Sequence, residues 1–397
     1  MNSDSGRPPI PLWLLASPYV LSFAALMFTS RTVRKAMFLP IASLVIRITT
    51  IGMPAGACPI ASALVLQRFT MCDLLLLTDS HAELHLVGQS APSAGSLPLF
   101  ARAKWVVHLL TSPRLIGWTN EPTTGALPPR PTETSRMRFA ATQIAYLALH
   151  LLTMNVLGIS MRLSPSFSRD GPGLAGGGWG RRSVDVLQYY GVVWSAISIP
   201  HRVAVLVLLG TGRWMPCDLP PMFAPLGNAY TLRRFWGNMH HQTLRRVVTS
   251  HANFVSQKLL HFPRQDRFSA CVQLYTAFFE SGAIHHWAEY MIMPLDNFGL
   301  LACGSMKFFL LQAAGIHCED IMISAARRMG WRVNAESARS RRALRVIGCI
   351  YVWQWFTWCV PINVDPPVRI GMIENGLRVT IIQDLCKFVG KGCYIPT

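Results

Sequence analysis

Hydrophobic positions fall in long runs, separated by short stretches rich in basic residues, Pro or Gly. The first run is Pro9 to Phe28. Others cover roughly 37–53, 59–78, 139–160, 188–210, 269–293, 299–316 and 344–361. Each approaches the ~20 residues needed to cross a bilayer as a helix. The pattern predicts an all-α polytopic transmembrane bundle of about eight helices. Several runs contain a lone charge, such as Arg47, Arg68 or Lys307, and others contain Pro or Gly. Such residues persist in lipid only where neighbours satisfy them, so the predicted bundle has a polar interior, read here as a tunnel. Segment 100–116 is shorter and basic and reads as an interfacial helix. Residues 117–135, rich in Pro and Thr, and 163–183, rich in Gly, Ser and Arg, read as mobile loops. Apolar runs resume on both sides of each loop, so the chain reads as a single membrane domain over 1–397 with no internal repeat.

Composition narrows the class. Of 397 residues, 51% are hydrophobic and only 14% are charged, against about 25% in a soluble domain. That excludes a soluble globular enzyme and a disordered chain. Lys and Arg number 37 and Asp and Glu 19, for a net charge of +18. The basic residues flank apolar runs, the arrangement of cytoplasmic loops in membrane proteins, and no aromatic-basic platform for nucleic acid is visible. The cluster Arg31-Thr-Val-Arg34-Lys35 after the first run therefore favours the cytoplasm. The first run is too long, and begins with too mixed a charge (Asp4 beside Arg7), for a signal peptide, so it reads as a retained helix. Ten cysteines, none in a CxxC pair, read as free, buried thiols.

Candidate chemistry centres on two histidine pairs. His285 and His286 lie in the apolar run from Ser269 to Ile292. At helical spacing Ser281, His285 and Glu289 share one face, and Gly282 permits close approach of a neighbouring helix or ligand. An ionisable residue in such a run points to function. A structural histidine bonded across the bundle is the competing reading, and it suits His286 better. His240 and His241 lie in the basic, aromatic stretch Leu232–Val248, which follows a Pro-rich entry at 219–226. Read as a helix, it puts Arg234, His241 and Arg245 on one face and Trp236 and His240 on another. It is either a solvated juxtamembrane helix or a segment that meets an anionic ligand such as the phosphates of coenzyme A. There is no phosphate loop, no HExxH and no nucleophile elbow.

These residues resemble a family. Phe235-Trp236-Gly237-x-x-x-His241-Gln242 followed by Arg245, preceded by Pro220-Pro221-Met222-Phe223, is similar to the signature of the wax synthase-like membrane acyltransferases. Ser281-Gly282-x-x-His285 resembles its S-G-x-x-H motif. Phe308-Phe309-Leu310-Leu311-Gln312, Gly348-x-x-Tyr351-Val352-Trp353 and Ser112-x-Arg114-x-x-Gly117-Trp118 resemble further elements. The matches run in order from about residue 100 to 361. Where the family usually has Arg and Trp before the motif His, this chain has Asn238 and His240.

The resemblance is closest to the fungal branch that acetylates terpenoid and meroterpenoid hydroxyls. It implies acetyl-CoA as co-substrate, a lipophilic alcohol as acceptor, contact with membrane lipid, no bound cofactor or metal, and the endoplasmic reticulum as location. It implies His285 as general base, with His241, Asn238 and Gln242 as oxyanion donors. Ser281 or Glu289 would orient His285, Trp236 would line the substrate side, and Arg234, Arg245 and Gln242 would meet the donor. The alternatives are a long-chain wax-ester activity, or a non-catalytic transporter or binding protein. The ordered motifs and the absence of inverted-repeat symmetry weigh against the last.

Overall fold

The computed structural model describes residues 10–53, 58–89, 91–122, 125–292, 304–329 and 338–373. In chain order the helices are α1 (Leu12–Met27), α2 (Arg31–Ala36), α3 (Phe38–Ile51), α4 (Cys58–Cys72), α5 (Ser80–Glu83), α6 (Leu99–Thr111) and α7 (Arg136–Leu163). There follow α8 (Trp179–Gly210), α9 (Leu232–Arg234), α10 (Arg245–Asn253), α11 (Arg267–Ile292), α12 (Gly304–Arg328) and α13 (Ala338–Arg369). Wider π-helical turns occupy Asp73–Leu77, Phe235–Met239 and Phe254–Leu259. The described residues contain no strand, only an isolated bridge between Leu86 and Trp118. Each apolar run is helical in its described part, so the all-α reading holds.

Among the described residues, five helical segments are long and apolar enough to cross a membrane: Cys58–Leu77, Arg136–Leu163, Trp179–Gly210, Gly304–Arg328 and Arg342–Arg369. α1 is apolar but has only 16 residues, and α3 has 14. α11 has the length but carries Glu280, His285, His286 and Glu289. These three account for the gap between five and the expected eight. α6 has 13 residues and stops at Thr111. It buries Trp105, Val106 and Leu109 and exposes Leu99, Phe100 and Val107.

The chain forms two compact units. Unit 1 comprises 1–124 and 242–322, and unit 2 comprises 125–241 and 323–397. In unit 1, α4 packs on α3 and α11, and α1 packs on α3 and α6. Its core joins Leu26, Ile41, Met71, Leu74, Trp105 and Trp118. Pro18 inside α1 has no N–H for the Leu14 carbonyl, and the Ser17 hydroxyl donates to that oxygen instead (2.7 Å). The interior is polar where expected: the Gln67 amide donates to the buried Ser22 hydroxyl (2.8 Å).

The lone charges do not enter that interior. Arg47 and Lys307 are exposed, and Arg68 lies 4.6 Å over the Trp287 ring. The 31–35 cluster forms α2, in which only Arg34 is buried. Arg34 pairs with Asp79 (2.8 Å) and donates to the Phe28 and Thr29 carbonyls beyond α1. Unpaired carbonyls at a helix end favour a cation there.

In unit 2, α7 and α8 run side by side and α13 packs on α8. Polar pairs bind α7 to α8: Arg202 to Gln143, Gln188 to Ser160 (2.9 Å) and His150 to Ser195 (3.3 Å). The Gly-rich loop is not the mobile segment its composition suggests. The Asp365 carboxylate of α13 accepts the Leu174 N–H (2.7 Å) and the Ala175 N–H (3.2 Å). The other loop is also tied: Trp118 is buried in unit 1, and in unit 2 Arg130 donates to the Cys217 carbonyl (2.9 Å). The cysteines depart from expectation as well. All seven described ones are free, but only Cys359 is buried, while Cys217 and Cys318 are exposed. Cys303, Cys386 and Cys393 lie outside the described residues.

Candidate functional site

The stretch 232–248 is not one helix. Thr231 caps the single turn α9, its hydroxyl accepting the Arg234 N–H (3.1 Å). The chain then widens into the π turn Phe235–Met239, closed by the His240 N–H on the Phe235 carbonyl (2.7 Å). Residues 240–244 leave helical geometry and α10 begins at Arg245. The expected single face of Arg234, His241 and Arg245 is therefore lost. The cause is aromatic packing that an extra residue in the turn makes possible. Phe235 stacks on His240 (centroids 5.5 Å, 17°), and Trp236 meets the same imidazole edge-on at 5.1 Å.

The rings of His240 and His241 lie 4.3 Å apart. Phe223, from the Pro-rich entry, touches both at 5.7 and 6.1 Å. The Ala224 N–H bonds to the Met239 carbonyl (3.1 Å), so the Pro-rich entry and the π turn form one piece. From α8, the Tyr190 hydroxyl reaches His240 Nδ1 (3.3 Å). Asn238 donates to the Gly125 carbonyl and accepts from Asn228 Nδ2 (3.1 Å), which ties its side chain to two loops. The Arg234 guanidinium lies 4.6 Å over the Tyr230 ring.

In unit 1, Gln242 is buried and accepts from the Arg245 guanidinium (2.8 Å). Burial lowers the Arg245 pKa from its ordinary value. On α11 the side of Gly282, His285 and Glu289 meets α12. A Cβ at Gly282 would stand 3.0 Å from Met306 Sδ and 3.4 Å from Phe309 Cβ. The His285 imidazole lies flat on the Phe309 ring, with centroids 4.9 Å apart and planes 12° apart. Glu289 is buried and accepts from the Ser305 hydroxyl. Ser281 donates to the Ala277 carbonyl (2.9 Å). Among the described residues none hydrogen-bonds to either ring nitrogen of His285. His286 is buried on a different side of the helix.

Two groups of functional interest escaped the sequence reading. Asp73, fully buried, pairs with Arg246 (2.8 Å) and accepts from Thr78 (2.8 Å) and Ser250. Beside it, His251 pairs with the buried Glu280 (3.2 Å). A lone acid at the end of an apolar run was the available signal. The second is Tyr190 of α8, which looked like ordinary hydrophobic sequence and joins the motif residues Phe223 and Phe235 in an aromatic wall around His240.

Known proteins resemble this chain over the same residues. Positions 219–311, from the Pro-rich entry through Leu311, match the membrane bound O-acyl transferase family. The acetyltransferase eriL of Hericium erinaceus is 30% identical over 383 residues, covering 96% of this chain and 97% of the relative. The acetyltransferase ple2 of Rhodocybe pseudopiperita is 29% identical over 313 residues, 79% of this chain and 78% of its own. The acetyltransferase pyr8 of Aspergillus fumigatus is 28% identical over 361 residues, 83% and 80%. No solved structure matches the chain. An acyltransferase of this kind takes an acyl-CoA donor and an acceptor. With similarity to eriL over 96% of the chain, and five helices among the described residues fit to span a bilayer, the chain belongs to the membrane bound O-acyl transferase family and is an integral membrane acyltransferase.

Proposed function

We propose that this enzyme moves an acetyl group from acetyl-CoA to a hydroxyl of a lipophilic secondary metabolite, a terpenoid or meroterpenoid, with His285 as general base. The observation that carries the reading is the state of His285. It is half-buried in an apolar helix, held by a ring stack on Phe309, and its nitrogens are uncommitted among the described residues. A stacked imidazole keeps its orientation while its ring edge stays available for a proton.

An alcohol is a poor nucleophile at neutral pH and needs a base. His285 takes the hydroxyl proton as the oxygen attacks the thioester carbonyl. The tetrahedral oxyanion needs preorganised donors, for which His241 stands first, with Gln242 and Asn238 behind it. Collapse breaks the carbon–sulfur bond, and the departing CoA thiolate takes the proton back from His285. The step is direct and needs no acyl-enzyme and no resident cofactor or metal. Glu289, tied to α12 through Ser305, or Ser281, one turn before His285, orients the base, and Trp236 braces His240. Arg234, Arg245 and Gln242 meet the anionic donor. The acceptor arrives from the bilayer, and water is kept from the thioester. The relatives' names, all acetyltransferases, favour acetyl over the long chains of a wax-ester enzyme. We assign the protein to the endoplasmic reticulum, tested by co-fractionation with a marker of that membrane.

The reaction is tested with membranes from an expressing host, labelled acetyl-CoA and a panel of hydroxylated terpenoids, read by mass spectrometry. Acetylated product is expected from the wild type, and loss by at least about a hundredfold from His285→Ala at equal protein level. Product in both removes His285 from the role of base. Product only with long acyl-CoAs replaces the acetyl reading with the wax-ester one.

A further inference from the structure

Tyr230 is flanked by two arginines that the sequence holds far apart. Arg234 Cζ stands 4.6 Å from the ring centre and Arg345 Cζ, on α13, stands 5.5 Å from it. The approach is built in. A Cβ at Gly348 would fall 2.2 Å from the Tyr230 carbonyl oxygen, so only glycine lets α13 lie this close. Both guanidiniums are exposed, and among the described residues neither has a carboxylate at ion-pair distance. Arg342 and Arg339 are also exposed, one and two turns back along α13. Two like charges gathered on one ring repel each other. The negative faces of the ring offset part of that, and an anion between the guanidiniums would offset more. A guanidinium presents its N–H groups in a planar fork that matches a phosphate, often with two parallel bonds. The spanning part of α13 begins at Arg342, so this pair sits at the polar end of a membrane helix.

We propose that Arg234, Arg345 and Tyr230 form a phosphate clamp that holds the phosphate groups of the acyl-CoA donor. Arg345 is a binding residue that no motif on α13 indicates. The clamp rests on the reading of acetyl-CoA as donor. Its chemistry would also suit the phosphate of an anionic lipid headgroup, so the test separates the two sources.

The full-length protein is purified into nanodiscs of neutral phosphatidylcholine, and CoA binding is measured at equilibrium for wild type, Arg234→Gln, Arg345→Gln and the pair. Each single change is expected to weaken CoA binding about tenfold, and the pair by less than the product of the singles, since both hold one ligand. Arg345→Lys should recover part of the loss. The KM for acetyl-CoA should rise while the KM for the acceptor does not. The penalty should vanish with acetyl-pantetheine, a thioester without phosphate. His285→Ala should bind CoA as wild type does, so a failed base assignment leaves the clamp standing. A wild type that binds no CoA overturns the donor reading and the clamp together. CoA binding unchanged in all the Arg variants overturns the clamp alone. An effect that appears only when the discs contain phosphatidylserine assigns the site to a lipid headgroup and overturns the donor assignment.

Discussion

Gly282 and His285 are one turn apart, and the first sets the conditions for the second. Without a side chain at 282, α12 comes close enough for Phe309 to lie against the imidazole. Valine at 282 would meet the Met306 Cα, 3.3 Å from where its Cβ would stand, as well as the movable Sδ. The backbone must then shift. Gly282→Val is expected to destabilise by about 1–3 kcal/mol and to lose most activity through the displaced ring stack. Thermal unfolding in detergent and turnover on the same sample would check this. Unchanged unfolding would mean α12 can retreat freely.

His81 makes a different prediction. Its Nε2 donates to the Leu26 carbonyl (2.9 Å) and its Nδ1 accepts from Arg34 (3.1 Å), because a guanidinium can only donate. Burial, then the nearby Arg34 and Arg102, lower its pKa below the ordinary 6.5, against the Leu26 carbonyl and Asp79, which raise it. The folded state therefore holds it neutral. The contribution is complete above the unfolded value and is lost as pH falls below it. Wild type should lose thermal stability between about pH 7.5 and 5.5, and His81→Gln, a neutral group with the same donor and acceptor, should lose less.

At the scale of elements, sequence periodicity found helices well and turns poorly. The run containing Ser281, Gly282 and His285 is helical from Arg267 to Ile292, with no Pro to interrupt its largely apolar sequence. The basic stretch 232–248 has helical spacing too, yet it breaks at His240. Its aromatic residues find more partners in a widened turn, with Tyr190 and Phe223 supplied from elsewhere in the chain. No local pattern encodes those partners. The Gly-rich loop misled for a similar reason: the Leu174 and Ala175 N–H groups are taken by Asp365, nearly two hundred residues on.

Asp73 is the element-scale case with the largest energetic stake. It is fully buried and links the turn after α4 to Arg246 and Ser250 on α10. Asp73→Asn leaves Arg246 without its counter-charge and is expected to lower stability by about 3–5 kcal/mol. Protein yield in membranes and unfolding in detergent would read it. An Asp73→Asn protein as stable as wild type would show that the hydroxyls alone hold α10.

At the scale of the molecule, the apolar runs specified the fold class, because a bilayer allows few other ways to satisfy a backbone. They did not specify how many runs cross. That depends on length and on the polar content of α1, α3 and α11. All of the described bundle should stay with the membrane after alkaline carbonate washing, and release into the supernatant would contradict integral insertion. The site was legible where a motif sits inside a single helix, as with Gly282 and His285. It was illegible where residues from separate stretches meet, as with Tyr230 and Arg345 or with Asp73 and Arg246.

The two compact units are interleaved along the chain: the first is finished only by residues 242–322, and the second only by residues after 322. A ribosome threading this protein into a membrane therefore cannot complete one unit and then begin the other. While residues 125–241 emerge, the first unit waits without α11 and its histidine, and the second begins with its own α13 still unmade. Any premature stop before residue 322 leaves both open. Truncation anywhere before that residue is therefore expected to leave neither unit folded, read as loss of protease resistance in the membrane-inserted product.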